Sequence, residues 1–237
     1  MLLSIIIPAY NERTFLPQVL QKVTNAPYDK EIIIVDDCSS DGTREYIQTL
    51  PSGPEANEAG FSTKIVGAFH QKNMGKGGAV KTALKHVTGD LILIQDADLE
   101  YDPKDYPKLL EPILDGNADV VYGSRFLGGP HRVFYFWHFI GNRLITLVSN
   151  MLTNLNLTDM ETGYKVFRRE VVEGVEIRSM RFGFEPEITA KMARKGCRIY
   201  EVPISYYGRS YTEGKKITWK DGMKAVFTIL KYNIFTR

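Results

Sequence analysis

Three carboxylates spaced two apart, Asp96, Asp98 and Glu100, follow the apolar run Leu91-Ile92-Leu93-Ile94. Like charges this close repel one another and cannot sit unpaired in a core. They can be solvated in a turn, cap a helix, or surround a cation. Their oxygens are the hard donors that Mg²⁺ or Mn²⁺ takes together with diphosphate oxygens. Such a cation would neutralise charge developing on a nucleotide diphosphate leaving group. A D-x-D pair alone is a weak signal, so its surroundings must decide.

Other residues could share that chemistry. Pro8, Ala9, Tyr10 and Glu12 follow one apolar run, Asp36 and Asp37 end a second, and Ser124-Arg125 ends a third. The stretch NMGKGGAV (73–80) lacks the full phosphate-loop pattern, but Lys76 near a helix N-terminus would favour a phosphate. No G-x-G-x-x-G follows the first apolar run, which disfavours a dinucleotide site. Asp159 and Glu161 invite assignment as a general base.

The elements that must position these residues read clearly in the first half. LLSIIIP (2–8), EIIIVDD (31–37), IVGAFH (65–70), GDLILIQDAD (89–98) and ADVVYGSR (118–125) read as strands. Helical stretches alternate with them; in LPQVLQKV, Leu16, Val19, Leu20 and Val23 form one stripe. Asp41 or Thr43 could cap the next helix, and residues 51–62 have the composition of a surface loop. Continuous β-branched runs between helices predict an α/β fold with a mainly parallel sheet covered on both faces. Ligands of such folds gather beyond the C-terminal strand ends, where Tyr10 to Glu12, Asp36 and Asp37, Asp96 to Glu100, and Ser124-Arg125 fall. That favours a nucleotide or another polyanion.

In the second half, apolar residues recur at 137, 140, 144, 147, 148, 151 and 155. Asn142, Arg143, Thr146, Ser149, Asn150, Thr153 and Asn154 lie opposite, predicting an amphipathic helix packed on the core or in a dimer contact. A second stripe, Trp219, Met223, Val226, Phe227 and Leu230, has Lys220, Lys224 and Lys231 beside it. It could pack conventionally or lie on lipid with its lysines toward headgroups. Residues 191–237 hold eleven Lys or Arg against three Asp or Glu, although the whole chain is only +2. That asymmetry points to an anionic partner near the C-terminal part. The 43% hydrophobic and 24% charged fractions are those of an ordinary globular protein, and Cys38 and Cys197 read as unpaired thiols. The first apolar stretch runs straight into Pro8, so no signal peptide is expected. No run reaches the about 18 apolar residues of a spanning helix.

The order and spacing of seven segments resemble the family 2 glycosyltransferases of the GT-A fold. The nearest branch is that of the dolichyl-phosphate mannose synthases and dolichyl-phosphate glucosyltransferases. The segments are IIIPAYNE (5–12), VDDCSSDGT (35–43), NMGKGGAV, QDADLE (95–100), YGSRF (122–126), TDMETGYKVFRR (158–169) and RSYTEGKKITWKDG (209–222). Together they cover nearly the whole chain.

The resemblance implies one continuous domain: a nucleotide-sugar-binding part, 1–126, and an acceptor-binding part with amphipathic helices, 127–237. It implies that Pro8, Ala9, Tyr10, Glu12 and Asp37 hold the nucleoside, with Asp36 beside them and Lys76 on the donor. Asp96 and Asp98 would bind Mg²⁺ or Mn²⁺; Glu100 stands where the mannose synthases often carry Gln near the metal, and it could bind the metal there or stand behind the ligands. Arg125 would face sugar or acceptor phosphate, and Arg132, Arg209, Lys215 and Lys216 would cradle that phosphate. A phosphate nucleophile is already anionic and needs placement more than proton abstraction, so Asp159 is given an orienting role.

The expected activity is metal-dependent, inverting transfer of a hexose from UDP-glucose or GDP-mannose to a polyprenyl or dolichyl phosphate. The expected place is peripheral, on the cytoplasmic face of an anionic membrane, with no nucleic acid bound. One rival keeps fold and donor but uses a saccharide hydroxyl. Another is a non-catalytic membrane-surface module, which the intact Asp96, Asp98 and Arg125 disfavour.

Overall fold

The computed structural model describes the chain except residues 52, 129–130, 134, 209–218 and 237. Eight strands form one sheet: β1 (Leu3–Ala9), β2 (Lys30–Asp36), β3 (Pro54–Ala56), β4 (Ser62–Phe69), β5 (Leu91–Ile94), β6 (Val120–Ser124), β7 (Lys165–Arg168) and β8 (Ile199–Pro203). Their order is β3-β4-β2-β1-β5-β7-β6-β8. Six strands run one way, while β3 and β7 run against their neighbours.

The helices are α1 (Leu16–Thr24), α2 (Thr43–Gln48), α3 (Lys76–Ala83), α4 (Tyr106–Leu114), α5 (Phe136–Thr153), α6 (Arg169–Val172), α7 (Phe184–Arg194) and α8 (Trp219–Leu230). Successive strand residues point to opposite faces, so a run apolar at every position must be covered twice. Leu3, Ile5 and Ile7 of β1 pack with Leu16, Val19, Leu20 and Val23 of α1 and Leu109 of α4. Ile6 joins the other core with Val80 of α3, Ile188 of α7 and Ile229 of α8. The GT-A-like layered α/β architecture expected from the sequence is present.

Three features differ from the sequence reading. The expected loop 51–62 contains the edge strand β3, paired antiparallel with β4. More consequentially, β7 enters between β5 and β6 and runs opposite to both. Its N-terminal end therefore lies at the C-terminal ends of its neighbours. That geometry carries the loop before it, Thr158–Tyr164, to the edge where Asp96 and Arg125 stand.

The third difference is the orientation of α5. Its polar face is turned inward, with Thr146 at 3% and Ser149 at 1% exposure, while Trp137 is 78% and Met151 75% exposed. Leu144 and Leu147 are also exposed. The periodicity is as the sequence predicts, but of the predicted stripe only Val148 and Leu155 are packed against the core cluster, beside Ile145. In α8, Ala225 and Ile229 are buried and the bulkier Met223 and Phe227 face outward. The side chains of Trp219 and Lys220 lie outside the described residues.

Candidate active site

The turns after β1 and β2 are stitched together. Asn11 adopts φ 54°, and its Oδ1 accepts from the Ser40 amide at 2.9 Å. The Glu12 amide donates to Thr43 Oγ1 at 3.0 Å. Tyr10 projects outward from this seam, Pro8 and Glu12 are half-buried, and Ala9 is buried. Asp41 Oδ1 accepts from the Thr43 amide at 3.0 Å, but the N-cap of α2 is Gly42 at φ 91°, where only a residue without a side chain sits easily, so neither Asp41 nor Thr43 is the cap.

Asp36 and Asp37 are both buried, and both are engaged. Asp36 accepts from Arg44 Nε at 2.8 Å and from the Ser39 amide at 3.2 Å. Asp37 accepts from His70 Nδ1 at 2.7 Å, the Met74 amide at 2.8 Å and the Gly75 amide at 2.6 Å. In this state the acids hold turns in place, and Asp37 fixes the turn that begins α3.

The glycines of that turn are required by close approach. A Cβ at Gly77 would lie 2.0 Å from the Ser179 carbonyl oxygen, and the Gly78 amide donates to the Met180 carbonyl at 2.9 Å. Three amides of the stretch are thus used inside the protein, and it is the Lys76 side chain that reaches the site. Its Nζ is 2.8 Å from Asp96 Oδ1 and 3.0 Å from Glu185 Oε1. Burial pulls the ammonium pKa down, but Asp96 and Glu185 outweigh it and hold Lys76 charged.

Beyond β5, Asp98 Oδ1 accepts from the Glu100 amide at 3.1 Å, and Glu100 Oε2 accepts from Tyr206 OH at 3.0 Å. Gly163 lets the loop before β7 close on this turn. A Cβ there would sit 2.2 Å from Asp96 Oδ2 and 2.9 Å from Tyr101 Cε2. Gly163→Ala should therefore displace Asp96, and a misplacement near 1 Å is worth about 100-fold in rate. Assays of turnover beside melting curves check this; wild-type turnover in a folded variant would dissociate Asp96 from the reaction.

Arg125 meets Asp159 in a two-pronged ion pair, Nε to Oδ2 at 2.6 Å and Nη2 to Oδ1 at 2.7 Å. The guanidinium also lies 5.2 Å from the Tyr206 ring centroid. Burial would lower its pKa, but Asp159 outweighs that and holds it well above the ordinary value. Behind this pair, Glu161 Oε1 and Glu185 Oε2 are shielded from solvent without a hydrogen-bond partner. Burial, then the neighbouring Glu185 carboxylate, raise the Glu161 pKa. Burial lowers that of Lys165, whose Nζ donates to the Met160 carbonyl at 2.9 Å. Buried carboxylate oxygens left open beside fixed cations are places where ligand hydroxyls can be bound.

Asp96 and Asp98 fit a divalent cation by the chemistry of the donor set. Among the described residues no three His, Cys, Asp or Glu side chains form a ready-made cage. Mg²⁺ and Mn²⁺ suit such a setting, taking one or two carboxylates and completing their shell with phosphate oxygens and water. Arg132 lies on the surface where its amide donates to the Tyr206 carbonyl at 3.0 Å. Arg209, Lys215 and Lys216 lie outside the described residues.

The structure thus brings Lys76, Asp96, Arg125 and Asp159 to one edge of the sheet and places Tyr10 and Glu12 along it. Sequence reasoning missed Glu185, Tyr206 and His70. The pair of glutamates in Phe184-Glu185-Pro186-Glu187, both buried on a core-facing helix, was the available signal for the first.

A family model described as "Glycosyl transferase family 2" matches residues 4–175. A dolichol-phosphate mannosyltransferase of Pyrococcus furiosus is 32% identical over 98% of this chain and 64% of its own length. An undecaprenyl-phosphate mannosyltransferase of Micrococcus luteus is 32% identical over 89% of this chain and 85% of its own. The chain thus spans less than two thirds of the Pyrococcus relative. Among solved structures, glucosyl-3-phosphoglycerate synthase of Mycobacterium tuberculosis with Mn²⁺ and UDP-glucose superposes with a TM-score of 0.72. That match is 18% identical and covers 98% of this chain and 78% of the other. Fold, site and sequence similarity agree: the chain belongs to glycosyl transferase family 2.

Proposed function

We propose that the chain transfers a hexose, with inversion, from a nucleotide diphosphate sugar to a polyprenyl phosphate at a membrane surface. The observation that carries the acceptor class is the outward apolar face of α5, which begins beside the site. Phe139 on that helix stacks edge-on against Phe126, next to Arg125, with ring centroids 5.3 Å apart. Exposed Arg143, Lys224 and Lys231 flank the apolar faces of α5 and α8. An apolar face with basic flanks matches an anionic bilayer. No helix among the described residues is long and apolar enough to cross a membrane. The relatives named for dolichol- and undecaprenyl-phosphate mannosyl transfer support this reading.

In this reading Asp96 and Asp98 hold Mg²⁺ or Mn²⁺, which neutralises charge on the departing nucleotide diphosphate. The solved relative with Mn²⁺ and UDP-glucose supports that assignment. Tyr10 and Glu12 border the nucleoside, and Lys76 offers its ammonium to the donor. Arg125, held in position by Asp159, faces the acceptor phosphate, and Arg132, Arg209, Lys215 and Lys216 are the further cations assigned to it. The attacking phosphate oxygen is already anionic, so positioning and charge control replace a general base.

A panel of UDP-glucose and GDP-mannose, with Mg²⁺ or Mn²⁺ and vesicle-borne polyprenyl phosphate, tests the activity. Mass spectrometry should find a hexosyl polyprenyl phosphate. Product only with a saccharide acceptor would replace this acceptor class by the hydroxyl one. Docking is checked separately by vesicle flotation. Binding to anionic vesicles should weaken with salt, since each basic side chain near the surface contributes about 1 kcal/mol, screened within roughly 10 Å. Trp137→Glu should abolish flotation without loss of stability, because the side chain is almost fully exposed. Flotation unchanged by that substitution would remove α5 from the docking face.

A further inference from the structure

An amphipathic helix with its polar side inward must find partners for those groups. In α5, Asn142, Thr146 and Asn150 each have a partner in the loop that carries Asp159. The Met160 amide donates to Thr146 Oγ1 at 3.2 Å, and Thr146 Oγ1 donates to Asn142 Oδ1 at 3.3 Å. Asn142 Nδ2 then donates to Asp159 Oδ1 at 3.3 Å. One turn further on, Asn150 grips Leu157 twice, donating to its carbonyl at 2.8 Å and accepting from its amide at 3.1 Å. Residues 142, 146 and 150 are spaced by four, so they form one row along the helix.

We infer that Asn142, Thr146 and Asn150 are positioning residues. They suspend the Leu157–Met160 loop, and with it the Asp159–Arg125 pair, from the helix whose other face meets the lipid. This rests on the reading of α5 as the membrane-docking helix. The opposite side of the loop is fixed to the sheet: Glu201 accepts from the Thr158 and Asp159 amides at 2.8 and 3.0 Å. Ser124 Oγ lies 2.6 Å from Thr158 Oγ1. The loop is therefore a bridge between the rigid sheet and the docking helix. A displacement of α5 on the bilayer reaches Asp159 through these side chains as well as through the short backbone link after Thr153.

The test compares Thr146→Val, which keeps shape and removes the hydroxyl, with Thr146→Ser, which keeps the hydroxyl. Hydrogen exchange of the full chain is followed by mass spectrometry, with and without anionic phosphatidylglycerol vesicles. Without vesicles, amides of 157–161 should exchange about tenfold faster in Thr146→Val, while Thr146→Ser resembles wild type. Unchanged exchange in Thr146→Val, or equal loss in both variants, overturns the inference. Asn142→Leu, at a half-exposed position, serves if Thr146→Val does not fold. With vesicles, wild type should gain protection in both 136–153 and 157–161. Protection of α5 without the loop would refute the bridge and leave docking standing. Protection of neither would refute docking, and the vesicle-free comparison then decides the positioning role alone. In transfer assays Thr146→Val should lower kcat about tenfold with the donor KM within twofold. A parallel change in both would mean general loosening and would also overturn it.

Discussion

Asp98→Ala should lower sugar transfer by at least about 100-fold while the protein melts within a few degrees of wild type. A metal holding the leaving diphosphate is worth several kcal/mol in the transition state, and each 1.4 kcal/mol is about tenfold in rate. Asp98 is half-buried in the bend after β5, where its Oδ1 accepts from the Glu100 amide two residues on. Substitutions outside the packed core usually stay within about 0.5 kcal/mol. Exhaustive chelation should match the variant, and added Mn²⁺ should restore wild type but not Asp98→Ala. Full turnover after chelation would refute the metal assignment. Asp96→Ala should behave differently, because it also releases Lys76 to Glu185 alone.

Asp159→Ala should damage both fold and activity. Asp159 is wholly buried and the Arg125 side chain is 15% exposed, so removing the carboxylate strands a guanidinium in a dry site. Breaking such a pair costs about 3–5 kcal/mol. At about 2–4 °C per kcal/mol for a domain of this size, melting should fall by roughly 6–20 °C. A buried pair replaced by apolar residues of similar volume is often neutral. Arg125→Met with Asp159→Leu should therefore recover most of the stability and none of the transfer. If the double variant were as unstable as the single one, the loss would stem from the Arg125 amide and Asn142 Nδ2, from which Asp159 also accepts. Transfer by the double variant would remove Arg125 from the chemistry.

The sequence carried the parallel half of the sheet well, because β1, β2 and β5 are runs of Leu, Ile and Val bounded by polar turns. β7 was hidden for a physical reason. Lys-Val-Phe-Arg is four residues with charges at both ends, and its antiparallel insertion follows from pairing that no local pattern encodes. The helix α5 was legible as a period and not as an orientation. A stripe shows that two faces differ, but which face is buried depends on what the neighbouring loop offers, here hydrogen bonds for Asn142, Thr146 and Asn150. Asp96, Arg125 and Asp159 were found from their segments. Glu185 and Tyr206 come from α7 and the exit of β8, far along the chain, and only the folded sheet brings them beside Lys76 and Glu100.

The position of β7 also bears on how the chain acquires its fold during synthesis. The β5 strand, residues 91–94, and β6, residues 120–124, lie on either side of a gap that only residues 165–168 fill. Until those residues leave the ribosome, two hydrogen-bonding edges rich in Leu, Ile and Val stand open. Translation at about 5–20 residues per second leaves them so for several seconds. Unpaired edges of that composition are templates for pairing with other chains. The nascent protein therefore passes through a window of aggregation hazard that narrows when β7 fills this gap and ends when β8, residues 199–203, covers the outer edge of β6, and chaperone demand should concentrate there.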